Sequence, residues 1–220
     1  MQVKVCGVRD REGAAACARA KVDYVGFNFV PGARRSIRPS EAVELRKHLG
    51  GCEVVGLFRN ASEEEVEAVA RATGLDWVQL HGAEGPEFCR RLRGRLRVIK
   101  AFEASVARDP ARLRPYVGVV DIALVDGARP GSGTPWDWSA LVESRVALPG
   151  VPFFLAGGLD PWNVSEAISA ARPDGVDAAS GVEREGRQDA ALIEAFASNA
   201  RGASAAGPQR VPFEGKRTQP

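Results

Sequence analysis

The chain has 220 residues, enough for one domain or two small ones with a sizeable core, and its 45% apolar and 26% charged residues belong to neither a disordered nor a fibrous protein. Lys and Arg number 30 against 28 Asp and Glu, a net charge of +2 that offers no general electrostatic pull on nucleic acid; the surplus gathers at the end, where Arg201, Arg210, Lys216 and Arg217 face Glu214 alone. No apolar run approaches the roughly 18 residues of a membrane span, MQVKVCGVRD lacks a signal-peptide core, and Cys6, Cys17, Cys52 and Cys89 form neither a disulfide framework nor a Cys-x-x-Cys site, so a cytoplasmic protein with no membrane partner and no Cys/His metal centre is expected.

The predicted elements alternate. An apolar run at 3–6 precedes a helix at 11–20, and runs at 24–29, 53–58 and 77–81 precede helices at 39–48, 62–72 and 86–92. Runs at 97–102 and 119–126 follow with no helix read between them; then come a helix at 137–142, a run at 152–157, a helix at 160–170, a run at 175–180 and a helix at 188–199. Ser62 before Glu63, Glu64 and Glu65 is a helix-start signal, and Asp160-Pro161 reads as a second. Eight strands at intervals of about 25 residues, each long enough for a strand and a crossover, most economically close into a single α/β-class (β/α)8 barrel over residues 1–199. Residues 200–220, rich in Gly, Pro, Ala and basic side chains without periodicity, read as a flexible tail.

In such a barrel the chemistry belongs at the C-terminal ends of the strands, where small polar residues sit beside glycine: Cys6-Gly7, Asn28, Arg59-Asn60, His81-Gly82, Asp126-Gly127, Gly157-Gly158 and Ser180-Gly181. Gly157-Gly158, with Ser180-Gly181 opening a short extra helix, has the makings of a phosphate cradle, because backbone N–H groups there approach an anion closely. Cys6 alternates with Lys4 on one strand face; it reads either as a small buried hydrophobe or as a thiol held partly as thiolate by Lys4 and acting as a base. Cys17, Cys52 and Cys89 read as packing residues. Asp126 ends a very apolar run, where a carboxylate is costly to bury without purpose, so it is a candidate general acid or else a loop cap, whereas Asp121 at the entrance of that run reads as structural. Arg34, Arg35 and Arg38 after the second strand suit recognition of a carboxylate by a guanidinium fork, or form a solvated basic loop. His81 shares a face with Gln79 and reads equally as a self-satisfied rim histidine or a ligand contact.

Taken in order, these residues resemble the phosphoribosylanthranilate isomerase family of tryptophan biosynthesis, a family of TIM barrels. The matching stretches are Val3-Lys4-Val5-Cys6-Gly7, Arg35-Ser36-Ile37, Val78-Gln79-Leu80-His81-Gly82, Leu124-Val125-Asp126, Gly131-Ser132-Gly133 before Trp136-Asp137-Trp138, Leu155-Ala156-Gly157-Gly158-Leu159, and Gly175-Val176-Asp177 leading to Ser180-Gly181-Val182-Glu183. The resemblance implies an Amadori rearrangement of a phosphoribosyl aminal of anthranilate, with Asp126 as acid, Cys6 as base and Arg35 on the anthranilate carboxylate. His81, Gly157, Gly158, Ser180 and Gly181 are expected as further substrate contacts, with no cofactor, no metal, and a phosphorylated small molecule as partner of a monomer or homodimer. Phe27 or Phe29 is expected near the aromatic ring. The chain departs from the family at Thr134, where a lysine is usual, at Arg34, where a proline is common, and at Ala179, where a serine is frequent. A dual-substrate barrel would carry an aspartate in the first strand where Cys6 stands; a barrel that senses a phosphorylated ligand without turnover is the rival of another class.

Overall fold

A computed structural model describes residues 1–107, 109–127, 138 and 150–205. Among them, eight parallel strands close into a barrel in sequence order: β1 (Gln2–Cys6), β2 (Tyr24–Asn28), β3 (Glu53–Phe58), β4 (Trp77–Leu80), β5 (Arg97–Glu103), β6 (Ile122–Asp126), β7 (Phe153–Leu155) and β8 (Gly175–Ala178), with β8 pairing back onto β1. Each apolar run of the sequence became one of these strands. The helices between them are α1 (Arg11–Arg19), α2 (Pro39–Arg46), α3 (Glu63–Thr73), α4 (Pro86–Arg93), α7 (Val164–Ala171) and α8 (Ala190–Ala205). Two one-turn helices, α5 (Ala104–Ala107) and α6 (Pro110–Leu113), occupy the connection after β5 for which no helix was expected. Both are too short to show a 3.6-residue period. The helix expected at 137–142 lies outside the described residues, Trp138 apart, as do Gly131, Ser132, Gly133, Thr134, Trp136, Asp137 and the chain beyond 205.

Period-two alternation sorts the strand side chains into two cores. Tyr24, Val55, Trp77, Ile99, Ala101, Ile122, Leu124, Phe154 and Ala156 point inward and fill the barrel with a packed apolar layer. Their neighbours in sequence, including Val3, Val5, Val25, Phe27, Leu155 and Val176, point outward against the helices. Phe27 is thereby removed from the barrel mouth, because Gly26 and Asn28 hold the inward positions of β2. Phe29 stacks on Phe58 with ring centroids 5.5 Å apart, so neither aromatic forms the wall expected for a ring.

Helix ends follow local chemistry. Ser62 accepts from the Glu65 N–H while the Glu65 carboxylate accepts from the Ser62 N–H, a reciprocal cap that starts α3 as expected. The Asp160 signal worked differently: its carboxylate accepts from the N–H groups of Trp162 and Asn163, forming a local turn, and α7 begins only at Val164. The expected boundary at 199 is likewise overrun, since α8 continues to Ala205. Ala200 is fully buried, and Arg201, read from sequence as the first basic residue of a tail, donates to the Ala20 carbonyl at 3.0 Å and to the Lys21 carbonyl, satisfying acceptors left at the end of α1. No described helix is long and apolar enough to cross a membrane.

Candidate active site

At the C-terminal ends of the strands, Cys6 closes β1 and Asp126 closes β6, both buried and both at inward positions. His81 follows the last residue of β4. Its Nε2 lies 3.4 Å from Asp126 Oδ2, and its Nδ1 lies 3.0 Å from Gln79 Nε2. His81 thus bridges the Gln79 amide on one side of its ring and the Asp126 carboxyl on the other. Asp126 Oδ1 accepts from the Gly127 N–H at 2.8 Å, which fixes the carboxyl plane across the mouth. Asp121, at the entrance of the same strand, accepts instead from the Val98 N–H and is structural.

One inward step below Cys6 on β1 stands Lys4, fully buried, its Nζ 2.9 Å from Asp177 Oδ2 on β8. Burial works against the Lys4 ammonium, yet Asp177 and Cys6 hold its pKa above the ordinary lysine value. Burial pushes the Cys6 thiol up, opposed by the Lys4 charge and reinforced by Asp177. The thiolate-favouring effect expected of Lys4 is therefore present but outweighed by burial. Burial also lifts the Asp177 carboxyl, against Lys4 and with help from Asp126. Asp177 thus links the charges of both candidate catalytic groups. The other cysteines keep away from the mouth: burial pushes Cys17 to about 12 and Cys89 to about 11, inert values that suit packing.

Arg35 lies in the loop after β2. Gly7 makes room for it, since a side chain there would begin 2.3 Å from Arg35 Cδ. Glu183, at the start of the short hairpin β9 (Glu183–Arg184) and β10 (Arg187–Gln188), takes its Nε and Nη2 protons at 2.6 and 2.9 Å. Among the described residues, no hydrogen bond is made to the other edge of the guanidinium, Nη1 with Nη2, an edge whose geometry suits a bidentate carboxylate. Arg34, standing where the family commonly has proline, also pairs with Glu183, and its carbonyl accepts from Arg9. Its side chain thus draws on the same carboxylate that holds Arg35. Arg38 points to solvent and pairs with Glu41.

Gly157 and Gly158 follow β7 with φ of +88° and +70°, conformations that side chains other than glycine's rarely accept. Gly181, in the 3-10 turn Ser180–Val182 after β8, abuts the Leu159 carbonyl so closely that a Cβ would lie 2.0 Å from it. The two loops meet, and bring Gly157, Gly158, Ser180 and Gly181 to one side of the mouth. Sequence reasoning gave no role to Asp177 or Glu183. A signal was present for Asp177: it falls two residues after Gly175, hence inward, and an inward carboxylate demands a partner. Glu183 had none, because its partners lie 148 and 149 residues away.

Three comparisons place this geometry. The family model of N-(5'-phosphoribosyl)anthranilate isomerase matches residues 3–199. The isomerase of Afipia carboxidovorans is 41% identical over 213 residues, covering 92% of this chain and 90% of that protein, and that of Myxococcus xanthus is 44% identical over 205 residues, covering 89% and 94%. Among solved structures, the phosphoribosylanthranilate isomerase of Thermotoga maritima superposes with a TM-score of 0.84 at 37% identity over 92% of this chain and 99% of that one. A structure of phosphoribosyl anthranilate isomerase in complex with reduced 1-(o-carboxyphenylamino)-1-deoxyribulose 5-phosphate superposes with a TM-score of 0.81 at 36% identity and the same coverage. The chain belongs to the phosphoribosylanthranilate isomerase family.

Proposed function

We propose that the chain converts N-(5-phosphoribosyl)anthranilate to 1-(2-carboxyphenylamino)-1-deoxyribulose 5-phosphate, the Amadori rearrangement of tryptophan biosynthesis, with Asp126 as general acid and Cys6 as general base. The observation that carries this reading is the convergence of a carboxyl and a thiol, from β6 and β1, on one barrel mouth. Ring opening needs a proton on the furanose oxygen as the C1–O bond breaks; Asp126, oriented by His81 and the Gly127 N–H, supplies it. The resulting iminium acidifies the C2 proton, which Cys6 takes as thiolate. The enolamine then gains a proton at C1 and loses the one on O2, so the product is an isomer of the substrate and no electron acceptor is consumed. Acid and base assistance each contribute on the order of 10²–10⁴ in rate, and anchoring of the substrate supplies more.

The substrate's two other anions have matching partners. The free edge of Arg35 suits the anthranilate carboxylate, and the Gly157-Gly158 and Ser180-Gly181 loops suit the phosphate; His81 borders the reacting sugar. The reaction is complete within one chain, acting as monomer or homodimer, and requires neither metal nor organic cofactor. The direct test follows substrate fluorescence with purified protein, with and without a chelator. Equal decay in both is expected. No decay in either overturns the assignment, and decay abolished by the chelator overturns its metal independence.

A further inference from the structure

Beneath the candidate base the barrel carries an ion pair whose cost calls for an explanation. Lys4 and Asp177 are Cα partners in the β1–β8 register, their charged atoms 2.9 Å apart, and Lys4 has no exposed surface. Asp177 Oδ1 is also buried, and among the described residues it has no hydrogen-bond partner. A buried pair left partly unsatisfied is a poor stabiliser; apolar side chains of similar volume usually serve as well. Other inward positions of the barrel are filled in that way, by Tyr24, Trp77, Ile122, Leu124 and Phe154. The pair is instead placed where β1 next presents Cys6, two residues on and on the same inward face, so that the Lys4 charge acts on the thiol.

We infer that Lys4 and Asp177 are positioning residues for the base: Lys4 supplies the positive charge against which Cys6 becomes a thiolate, and Asp177 holds that charge in place and limits how much of it the sulfur receives. The inference rests on Cys6 serving as the base. A sulfur anion in a closed barrel needs a cation within contact, and few groups qualify. The charged groups facing Cys6 are Lys4 from its own strand, Asp177 from β8 and Arg35 from the loop after β2. The β2 strand itself contributes only Gly26, whose missing side chain leaves room for the sulfur, since a Cβ there would lie 2.7 Å from Sγ. Asp126 and His81 act on this group through Asp177. Both cations favour the sulfur anion, Lys4 more strongly than Arg35, which Glu183 holds by two hydrogen bonds. When Cys6 accepts the C2 proton the negative charge leaves the sulfur, and the ammonium reverts to Asp177 with no change in its own protonation.

The two residues act on the thiol with opposite sign, and this separates positioning from mere packing. The test measures the ultraviolet absorbance of the Cys6 thiolate against pH, as the difference between each protein and its Cys6→Ser counterpart, together with the pH profile of kcat/KM. Lys4→Met is expected to move the thiolate midpoint and the acidic limb of kcat/KM upward by about 1–3 pH units, with kcat at neutral pH reduced about tenfold or more and KM little changed. Asp177→Asn is expected to move both downward. Unmoved limbs, or limbs that move in the same direction in both variants, overturn the inference. Should Lys4→Met fail to fold, Asp177→Asn decides alone, a downward shift supporting the inference and an unchanged profile overturning it. Turnover with unshifted profiles defeats this inference only, whereas a wild type without turnover defeats the isomerase assignment, and the absorbance shifts then still report whether Lys4 charges the sulfur.

Discussion

Lys100 and Glu84 meet between the barrel and its helices, whereas Lys4 and Asp177 meet inside it. Both pairs are buried, and both join a strand lysine to a carboxylate. Around Lys100 the polar atoms are well provided for: its Nζ lies 3.2 Å from Glu84 Oε2 and also reaches the carbonyls of Leu80, Gly82 and Ala101. The Glu84 carboxylate accepts in addition from the N–H groups of Asn60 and Gly82. This knot fixes the loops after β3 and β4 onto β5, and with them the turn that carries His81. Burial resists its carboxylate, but the donated N–H groups and Lys100 hold Glu84 below its usual range. At Asp177 burial wins instead, and among the described residues one oxygen has no hydrogen-bond partner. The contrast shows that a buried charge pair is read by its leftover valences: a saturated pair fastens the scaffold, and an unsaturated one beside a reactive group has capacity left for chemistry.

The comparison breaks most sharply through activity. Asp126→Asn keeps the shape and the contacts of the mouth but removes the transferable proton, and steady-state kinetics should show kcat reduced about 10²–10⁴-fold with unchanged thermal stability. A smaller loss, or a fall in Tm of the kind expected at the Lys100 knot, would place Asp126 with the scaffold. Next in size, Glu84→Gln should destabilise the fold by roughly 3 kcal/mol in denaturant titration near neutral pH, because Lys100 is left without its counter-ion, while the folded fraction keeps most of its kcat. The sign of the pH dependence follows from the lowered pKa of Glu84. The folded chain binds that proton less readily than the unfolded chain, so the stabilisation is complete above the unfolded value of about 4.3 and is lost as pH falls through the lower folded value. The difference between wild type and variant should therefore shrink in that acid window and stay constant above it. Smallest, Lys47→Ala removes an exposed partner of Glu44, 2.7 Å away on the surface, and should leave Tm and kcat unchanged; a measurable loss would mean that exposure is a poor guide to the worth of a pair in this protein.

Much of the scaffold was legible before any coordinates. The eight apolar runs, the helix start at Ser62 and the placing of Cys6, Asp126, Gly157-Gly158 and Ser180-Gly181 at strand ends all follow from local periodicity and turn chemistry, which a chain carries within a few residues. The errors came where local signals compete. Asp160 resembles a helix cap, but its carboxylate closes a turn one step earlier, and an alanine-rich stretch resembling a tail became the end of α8 because Ala200 is covered and Arg201 finds carbonyls of α1.

The sequence determined by itself that strands and helices alternate, and that a thiol, a carboxyl and a glycine pair stand at strand ends, since these depend on neighbours two to four residues away. Only the closed barrel decided that Lys4 meets Asp177 across 173 residues, that Glu183 takes one edge of Arg35 and leaves the other, and that burial outweighs a nearby ammonium at Cys6. Those outcomes depend on which groups share a low-dielectric interior, and strand spacing and register set that through the closure of the whole sheet rather than through any single segment.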